Sequence, residues 1–341
     1  MSVLAADVGG TNTRLALFEP GNAAPMHLET FASADHGSLD EMVTSFLAEH
    51  PASVLAACAG VAGPVRNGRT ETVNLPWPVD AASLASTIGL DRVALLNDLE
   101  ANAWGLASLG ADDLATVLDG IPGAGGNRAV ISAGTGLGQA GLYWDGTRHH
   151  VFATEGGHAD FAARSDFEID LYRFLAAELG HVSCERVVSG MGLVNIYRFL
   201  LHHDGAAAPN WLTDVVAAGG DEAAAISHHA VAGEDPSAVR ALDIMVSVFG
   251  AQAGNLALTV MATGGVFIGG GIAPKILPWL RSGTFAEAFL AKGRFAELMS
   301  RIPVHVVLND LTALIGAARR AERDLEGHAA ERQPQGITRT P

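Results

Sequence analysis

The chain has 341 residues, 49 % of them apolar, and a net charge of −16 because 37 acidic side chains face 21 Lys and Arg. This length allows two domains with sizeable cores. The acidic balance argues against a nucleic-acid partner, yet phosphate ligands stay open because backbone N–H groups can bind them. Two cysteines, Cys58 and Cys184, exclude a disulfide framework and a Cys-rich zinc site. No charged segment opens the sequence as in a signal peptide, so we expect a cytoplasmic protein.

The N-terminal part of the chain alternates predicted strands and helices. Apolar runs separated by turn signals predict strands at 3–9, 13–19, 26–32 and 53–60. An apolar stripe behind Ser38 predicts a helix over 38–50, and another is expected near 80–88, after a loop or hairpin at 61–79. This order predicts a mixed sheet covered by helices.

Two polar residues end the next apolar run, where Val93–Leu96 is followed by Asn97 and Asp98. One explanation is a helix start, since Asn97 is a good N-cap and Glu100 stands where a capping box needs it. The other is a ligand site, because the carboxyl ends of strands in open α/β sheets are where ligands bind. A carboxylate there could take a proton, and both explanations stay open.

After the Gly-rich segment 119–127, the order of predicted strands and turns that opens the chain begins again. Predicted strands follow at 128–134, 139–146 and 147–153. Gly10-Thr11 and Gly134-Thr135 occupy the same place in the two openings, which predicts a duplication with two related domains. The remaining elements are a mostly helical middle at 166–262 with a long helix over 236–262, strands at 264–272 and 303–309, and a last helix at 311–327.

One stretch, 255–272, is uncharged and long enough to suggest a membrane span. Several glycines interrupt it, which favours a buried helix running into a buried strand. We therefore expect no membrane partner.

The segment "DVGGTNTR" at 7–14 joins two predicted strands. Its glycines let the backbone approach a ligand, and successive N–H groups in such a turn form an anion-binding nest. Asp7, at the end of a buried strand, could hold Mg²⁺ through water. An ordinary hairpin also explains the Gly-Gly pair and the Asn.

A second glycine segment, "SAGTGLGQAG" at 132–141, contains G-x-G-x-x-G at Gly136, Gly138 and Gly141. A dinucleotide fingerprint needs a helix after the glycines, whereas strands are predicted here. A glycine hairpin with the Thr135 hydroxyl suits phosphate contact better.

Further along, Glu155, His158 and Asp160 surround two glycines, and Glu185 follows later. A metal site would lack a third ligand at a standard spacing. Several carboxylates and an imidazole also suit a polyhydroxylated ligand, whose hydroxyls they can bind. Singly, each is more often a solvated loop residue.

Together these motifs resemble the bacterial glucokinases of the hexokinase/actin-like ATPase superfamily. The segments "DVGGTNTRLAL", "LLNDLEA", "SAGTGLG", "EGGHADF", "HVSCERVVSGMGLVNIYR" and "GGVFIGGGI" occur in that family's order, over residues 3 to 320. The zinc motif of the related ROK kinases is absent, which points to the non-ROK group.

The resemblance implies an α/β, two-domain actin-like ATPase (ribonuclease H-like) fold, with duplicated mixed sheets flanked by helices and an interdomain cleft. The implied domains are a small one at 1–108 plus 309–326 and a large one at 109–308. The tail at 327–341 lacks apolar periodicity and is predicted to be disordered.

The implied activity is an ATP-dependent glucokinase reaction with Mg²⁺, giving glucose 6-phosphate and ADP, in a homodimer. Asp98 would be the base for the C6 hydroxyl. The implied sugar ligands are Asn74, Asn97, Asp98, Glu155, His158 and Glu185. The implied ATP ligands are Ala6, Asp7, Val8, Gly9, Gly10, Thr11, Ala133, Gly134, Thr135, Gly136, Gly138, Gly269, Gly270 and Gly271.

Several alternatives stay open at this point. The sugar could be another hexose, such as fructose or mannose, and the donor could be polyphosphate or ADP. A sugar-sensing regulator would need a DNA-binding extension, whereas the first strand is predicted at residue 3, and the acidic charge opposes it. A nicotinamide-dependent oxidoreductase would need the missing helix after Gly136–Gly141.

Overall fold

A computed structural model describes the backbone of residues 1–70, 75 and 77–332, and the side chains of these up to residue 325. The chain divides into two compact units. Unit 1 comprises Met1–Gly110 and the C-terminal segment from Leu311, and unit 2 is Ala111–Asp310. These limits lie close to the implied domain boundaries at 108 and 309.

The strands follow the predicted order. They are β1 (Ser2–Val8), β2 (Asn12–Phe18), β3 (Pro25–Ala32), β4 (Val54–Val61), β5 (Arg69–Thr70), β6 (Val79–Asp80), β7 (Ala94–Asn97), β8 (Leu114–Leu118), β9 (Arg128–Ala133), β10 (Leu137–Trp144), β11 (His149–Thr154), β12 (Val266–Gly269) and β13 (Val304–Val307).

The α-helices alternate with strands in unit 1 and cluster in the middle of unit 2. They are α1 (Leu39–Glu49), α2 (Ala81–Ile88), α3 (Asp98–Gly105), α4 (Asp166–Leu179), α5 (Gly190–Asp204), α6 (Asn210–Ala217), α7 (Glu222–Ala232), α8 (Pro236–Val260), α9 (Leu277–Leu280), α10 (Thr284–Leu290), α11 (Ala296–Ser300) and α12 (Thr312–Arg332).

The sheet of unit 1 has the order β3-β2-β1-β4-β7, antiparallel from β3 to β1 and parallel from β1 to β7. Successive side chains of a strand point to opposite faces. In β1, Val3 and Ala5 therefore join a core with α12, while Leu4 and Ala6 join another with α1. Because both faces are covered, β1 is apolar from Val3 to Ala6.

The register of this sheet brings three strand ends to one edge. Val8 of β1 pairs with Val61 of β4, and Val61 pairs with Asn97 of β7. The turn after β1 and the start of α3 therefore leave the sheet at the same edge. This edge is where an open α/β sheet binds ligands.

The sheet of unit 2 has the order β11-β10-β9-β12-β13-β8. It repeats the scheme of unit 1, since β11-β10-β9 is antiparallel and β9-β12-β13 is parallel. The predicted duplication is confirmed at the level of topology. Strand β8, which the sequence analysis missed, is an extra edge strand antiparallel to β13.

Helix α8 is the one helix, among the described residues, that is long and apolar enough to cross a membrane by length and composition. Of its most apolar window, 67 % is buried inside the protein, as in a core helix. The stretch 255–272 contains the end of α8 and then β12, so a buried helix does run into a buried strand.

Helix α12 differs from the prediction at its C-terminal end. It continues to Arg332, beyond residue 327, where the disordered tail was predicted to begin. Gly327 is a common helix-ending residue, which explains the predicted limit, but residues 328–332 are mostly good helix formers and Pro334 comes later, so the helix continues past the glycine. Residues 333–341 lie outside the described part of the chain.

Within unit 1, α12 packs closely on α3. A Cβ added at Gly316 would lie 1.7 Å from the carbonyl oxygen of Ala101, and one added at Gly105 would lie 2.2 Å from that of Thr312. Glycine at both positions lets the two backbones approach. This packing holds the helix that begins at Asp98.

Candidate active site

Asn97 ends β7 and caps α3. Its Oδ1 accepts from the N–H of Leu99 at 2.9 Å, and Glu100 Oε2 accepts from the N–H of Asn97 at 3.2 Å. The predicted capping box is confirmed. The other end of the amide, Nδ2, donates to the carbonyl of Gly63 at 3.1 Å, which fixes the loop after β4.

Asp98 is the first residue of α3, directly after the cap. Its Oδ1 accepts from the N–H of Leu99 at 2.9 Å, and its carbonyl accepts from Nδ2 of Asn102 at 3.0 Å. The N-terminal end of a helix favours a negative charge. Asp98 is half-buried at the ligand-binding edge of the sheet, so a fixed carboxylate there can accept a proton from a bound hydroxyl.

Gly9–Thr11 form the first glycine turn, between β1 and β2. The N–H of Gly9 donates to the carbonyl of Asn12 at 3.0 Å, and Ser33 Oγ donates to the carbonyl of Gly9 at 2.7 Å. Gly10 is half-buried and Thr11 is exposed, so this turn can present N–H groups to an anion. Asp7 lies in β1 opposite Arg14 of β2.

The second glycine turn, in unit 2, connects β9 to β10. The N–H of Gly134 donates to the carbonyl of Gly136 at 2.9 Å, and the N–H of Gly190, at the start of α5, donates to the carbonyl of Gly134 at 2.9 Å. Gly138 already lies within β10, paired with Ser132. A strand therefore follows the glycines, as predicted, and the dinucleotide fingerprint is absent at this segment.

Gly269 ends β12, and Gly270 and Gly271 follow in a bend. Gly270 has a φ of +85°, which favours glycine, and an added Cβ would lie 2.4 Å from the carbonyl oxygen of Ala133. The glycines after β12 and those after β9 therefore lie side by side.

Glu155, His158 and Glu185 also come together in unit 2. One nitrogen of His158 lies 4.0 Å from a carboxylate oxygen of Glu155, and the other lies 4.0 Å from one of Glu185. The side chains of Glu155 and His158 are 63 % and 61 % exposed, whereas that of Glu185 is 17 % exposed. Such a cluster can donate to and accept from several hydroxyls of one ligand.

Glu185 has a structural partner that its sequence context does not reveal. Its Oε2 accepts from the N–H of Leu137 at 2.9 Å, at the start of β10. Next to it, burial raises the pKa of the Cys184 thiol to about 11, so this cysteine stays protonated. The carboxylate of Glu185 is thus tied to the second glycine turn.

A cavity of about 670 Å³ opens beside that turn in unit 2. Gly134, Thr135 and Gly271 are among the residues that line it. Its apolar lining includes Met191, Leu193, Val231, Leu242, Met245, Ile272 and Ile276, and Asp221, His228 and Lys275 are among its polar residues. The volume lies in the range of small-ligand pockets.

The glucokinase family model matches residues 4–324 of this chain. The chain belongs to the glucokinase family. It is 41 % identical to the glucokinase of Synechocystis over 345 residues, covering 93 % of this chain and 97 % of that one. With the glucokinase of a Nostoc species it shares 40 % over 338 residues, covering 94 % and 99 %.

Solved glucokinases have the same fold. The glucokinase of an Antarctic psychrotroph superposes with a TM-score of 0.83 at 32 % identity, covering 94 % of this chain and 99 % of that one. A ROK family glucokinase from Streptomyces griseus, in complex with glucose and AMPPNP, has a TM-score of 0.64 at 21 % identity, covering 95 % and 100 %. The predicted actin-like ATPase fold class is confirmed.

Asn74, an implied sugar ligand, lies outside the described residues. Asp7 belongs to no group of three metal-ligating side chains among the described residues; the one such group is Glu29, Glu49 and His50. There, His50 Nε2 lies 2.8 Å from Glu29 Oε1, so two of the three side chains already satisfy each other.

Sequence reasoning missed most of the cavity lining. Asp221 looks like a helix cap, and it is one, since its Oδ1 accepts from the N–H of Ala224 at 3.0 Å. His228 is exposed, and it also borders the cavity. Lys275 follows the glycines of β12 and carries no motif of its own.

Proposed function

We propose that this protein transfers the γ-phosphoryl group of ATP to the C6 hydroxyl of D-glucose, giving glucose 6-phosphate and ADP. The observation that carries the proposal is membership of the glucokinase family over nearly the whole chain. The ligands in the Streptomyces griseus enzyme, glucose and AMPPNP, are the same two substrate types.

In this mechanism Asp98 accepts the C6 proton while that oxygen attacks the γ-phosphorus in line. Its position supports the role, because the helix start and the Leu99 N–H hold the carboxylate in one place. Asn97 contributes to sugar binding through the lone pair and N–H that its capping bonds leave free. Glu155, His158 and Glu185 bind the remaining sugar hydroxyls.

The glycine turns bind the phosphates of ATP. Backbone N–H groups in these turns, such as those of Gly10, Thr11 and Thr135, neutralise charge on the transferring group, so most of the catalysis is positioning and electrostatics. Asp7 would hold Mg²⁺ through water, which fits the preference of this ion for one or two carboxylates, water and phosphate oxygens. When bound, the ion supplies positive charge to the phosphate oxygens.

The cavity in unit 2 supports a nucleotide donor over polyphosphate. Its apolar lining suits a base and a ribose beside the phosphate-binding turn, whose Gly134 and Thr135 also line it. A polyphosphate chain would leave this apolar surface without a partner. The proposal includes a cytoplasmic location and a homodimer. Light scattering on the purified protein would test the homodimer.

A coupled assay tests the activity directly. Glucose, fructose and mannose are each offered with ATP, ADP or polyphosphate, with and without Mg²⁺. We expect turnover with glucose, ATP and Mg²⁺, and loss of turnover on chelation. A clear preference for another hexose or donor would reject the proposal in its present form.

A further inference from the structure

Leu137, at the start of β10, has both its backbone N–H and its carbonyl group against the segments that carry Glu155, His158 and Glu185. Its N–H donates to Glu185 Oε2 at 2.9 Å. Its carbonyl oxygen would lie 1.7 Å from a Cβ added at Gly157, in the turn between Glu155 and His158. The backbone of Leu137 therefore contacts both the segment with Glu155 and His158 and the side chain of Glu185.

Gly136, the residue before it, has no room for a side chain on account of Glu185. An added Cβ would lie 2.3 Å from Glu185 Oε2 and 3.2 Å from its Cδ. Gly136 does not have a positive φ, so its backbone would accept alanine. The requirement for glycine at this position is steric, and it comes from the carboxylate alone.

Gly134 is a matched contrast in the same turn. A Cβ added there meets nothing within 4 Å, and its φ is not positive. Gly134 lines the cavity, whereas Gly136 does not border it. Two glycines of one motif thus face different neighbours.

We propose that Gly136 and Leu137 are positioning residues of the sugar site, which hold the Glu185 carboxylate in its sugar-binding position. The inference rests on the proposed function. It moves Gly136 from the donor-binding residues, where its motif puts it, to the sugar-binding side of the turn.

Substitution by alanine separates the two roles. In Gly136→Ala the clash is with the end of a flexible side chain, so the protein can fold by displacing the carboxylate. We expect the KM for glucose to rise by about tenfold or more, since a charge-assisted hydrogen bond is worth about that. The KM for ATP should stay within about twofold, a change of well under 1.4 kcal/mol.

Gly134→Ala should affect ATP rather than glucose, because Gly134 lines the cavity and its added methyl group would take up space there. We expect a higher KM for ATP and a KM for glucose within about twofold of wild type, again well under 1.4 kcal/mol. Circular dichroism and melting temperature check that both variants fold. A merely structural defect would not raise the KM for glucose alone in one variant and the KM for ATP alone in its neighbour.

Removal of the carboxylate gives the second readout. In a Glu185→Ala background the atom that the new Cβ meets is gone, so adding Gly136→Ala should change glucose affinity by less than about twofold. Titration calorimetry with glucose measures this for each variant. Because the double variant lacks the clash, it can still be measured if Gly136→Ala alone fails to fold.

Two results would overturn the inference. One is a Gly136→Ala variant with a raised KM for ATP and an unchanged KM for glucose. The other is a double variant in which the two effects on glucose affinity simply multiply. If the wild type instead prefers another hexose, the proposed function fails, and the same comparison with that hexose still decides the role of Gly136.

Discussion

Asp98 is the residue at which the structural and catalytic roles are easiest to separate. The helix cap is Asn97, and it keeps its bonds to Leu99 and Glu100 whatever happens at Asp98. In Asp98→Asn the amide oxygen can still accept from the N–H of Leu99. The substitution also removes one negative charge from the first turn of α3, worth about 0.3–1 kcal/mol.

This loss should lower the melting temperature by only a few degrees, at about 2–4 °C per kcal/mol for a domain of 150–250 residues. An amide cannot take the C6 proton, so we expect kcat to fall by about two to four orders of magnitude. That corresponds to about 2.7–5.4 kcal/mol of activation free energy. The catalytic effect should therefore exceed the structural one severalfold.

Glu100→Gln is the matched control, because it removes the same charge from the same helical turn. Glutamine fits the capping box, so the bond from the N–H of Asn97 should survive. We expect kcat within about twofold of wild type, far from the loss of a positioned base. A folded Asp98→Asn enzyme within about threefold of wild type, or an equal loss in Glu100→Gln, would refute Asp98 as the base.

Three further predictions concern binding and stability. Glu185→Gln should weaken glucose binding by about 1–3 kcal/mol, measured by calorimetry, and leave ATP binding unchanged. Burial lowers the pKa of His305 from 6.5, so its contribution to stability is complete above that pH and is lost as the pH falls through the lowered pKa; His305→Gln should reduce the loss of melting temperature on acidification. Gly316→Ala, whose Cβ meets the backbone of Ala101, should destabilise unit 1 by about 1–3 kcal/mol in denaturant titrations, whereas Gly125→Ala, where a Cβ meets nothing, should not.

Most strands could be predicted because burial on both faces makes them apolar runs bounded by turn residues. Strands β1, β4 and β9 are of this kind. Strand β8 was missed because it is mostly half-buried, and it forms by pairing with β13, far away in sequence. Local periodicity carries no information about such a partner.

The candidate site also combines features that could be predicted from the sequence with features that could not. Glycine turns and polar residues at strand ends are local signals, so the turn at Gly9–Thr11 and the pair Asn97-Asp98 could be found from the sequence. The cavity could not, because α5, α7, α8 and the segment after β12 contribute to its lining. The bond between Glu185 and the N–H of Leu137 joins residues 48 positions apart and leaves no trace in either segment.

The glycines of the second turn show why a motif assigns roles less finely than a structure does. Gly134 borders a cavity, Gly136 abuts a carboxylate, and a Cβ at Gly141 would lie 2.1 Å from the ring of Phe152. Gly136 and Gly141 must be small for different neighbours, whereas a Cβ at Gly134 meets nothing within 4 Å, yet all three are the same letter in one motif. A motif carried over whole therefore assigns Gly136 to the phosphate donor, while the geometry places it against Glu185. The KM for each substrate, measured in each alanine variant, distinguishes these assignments residue by residue.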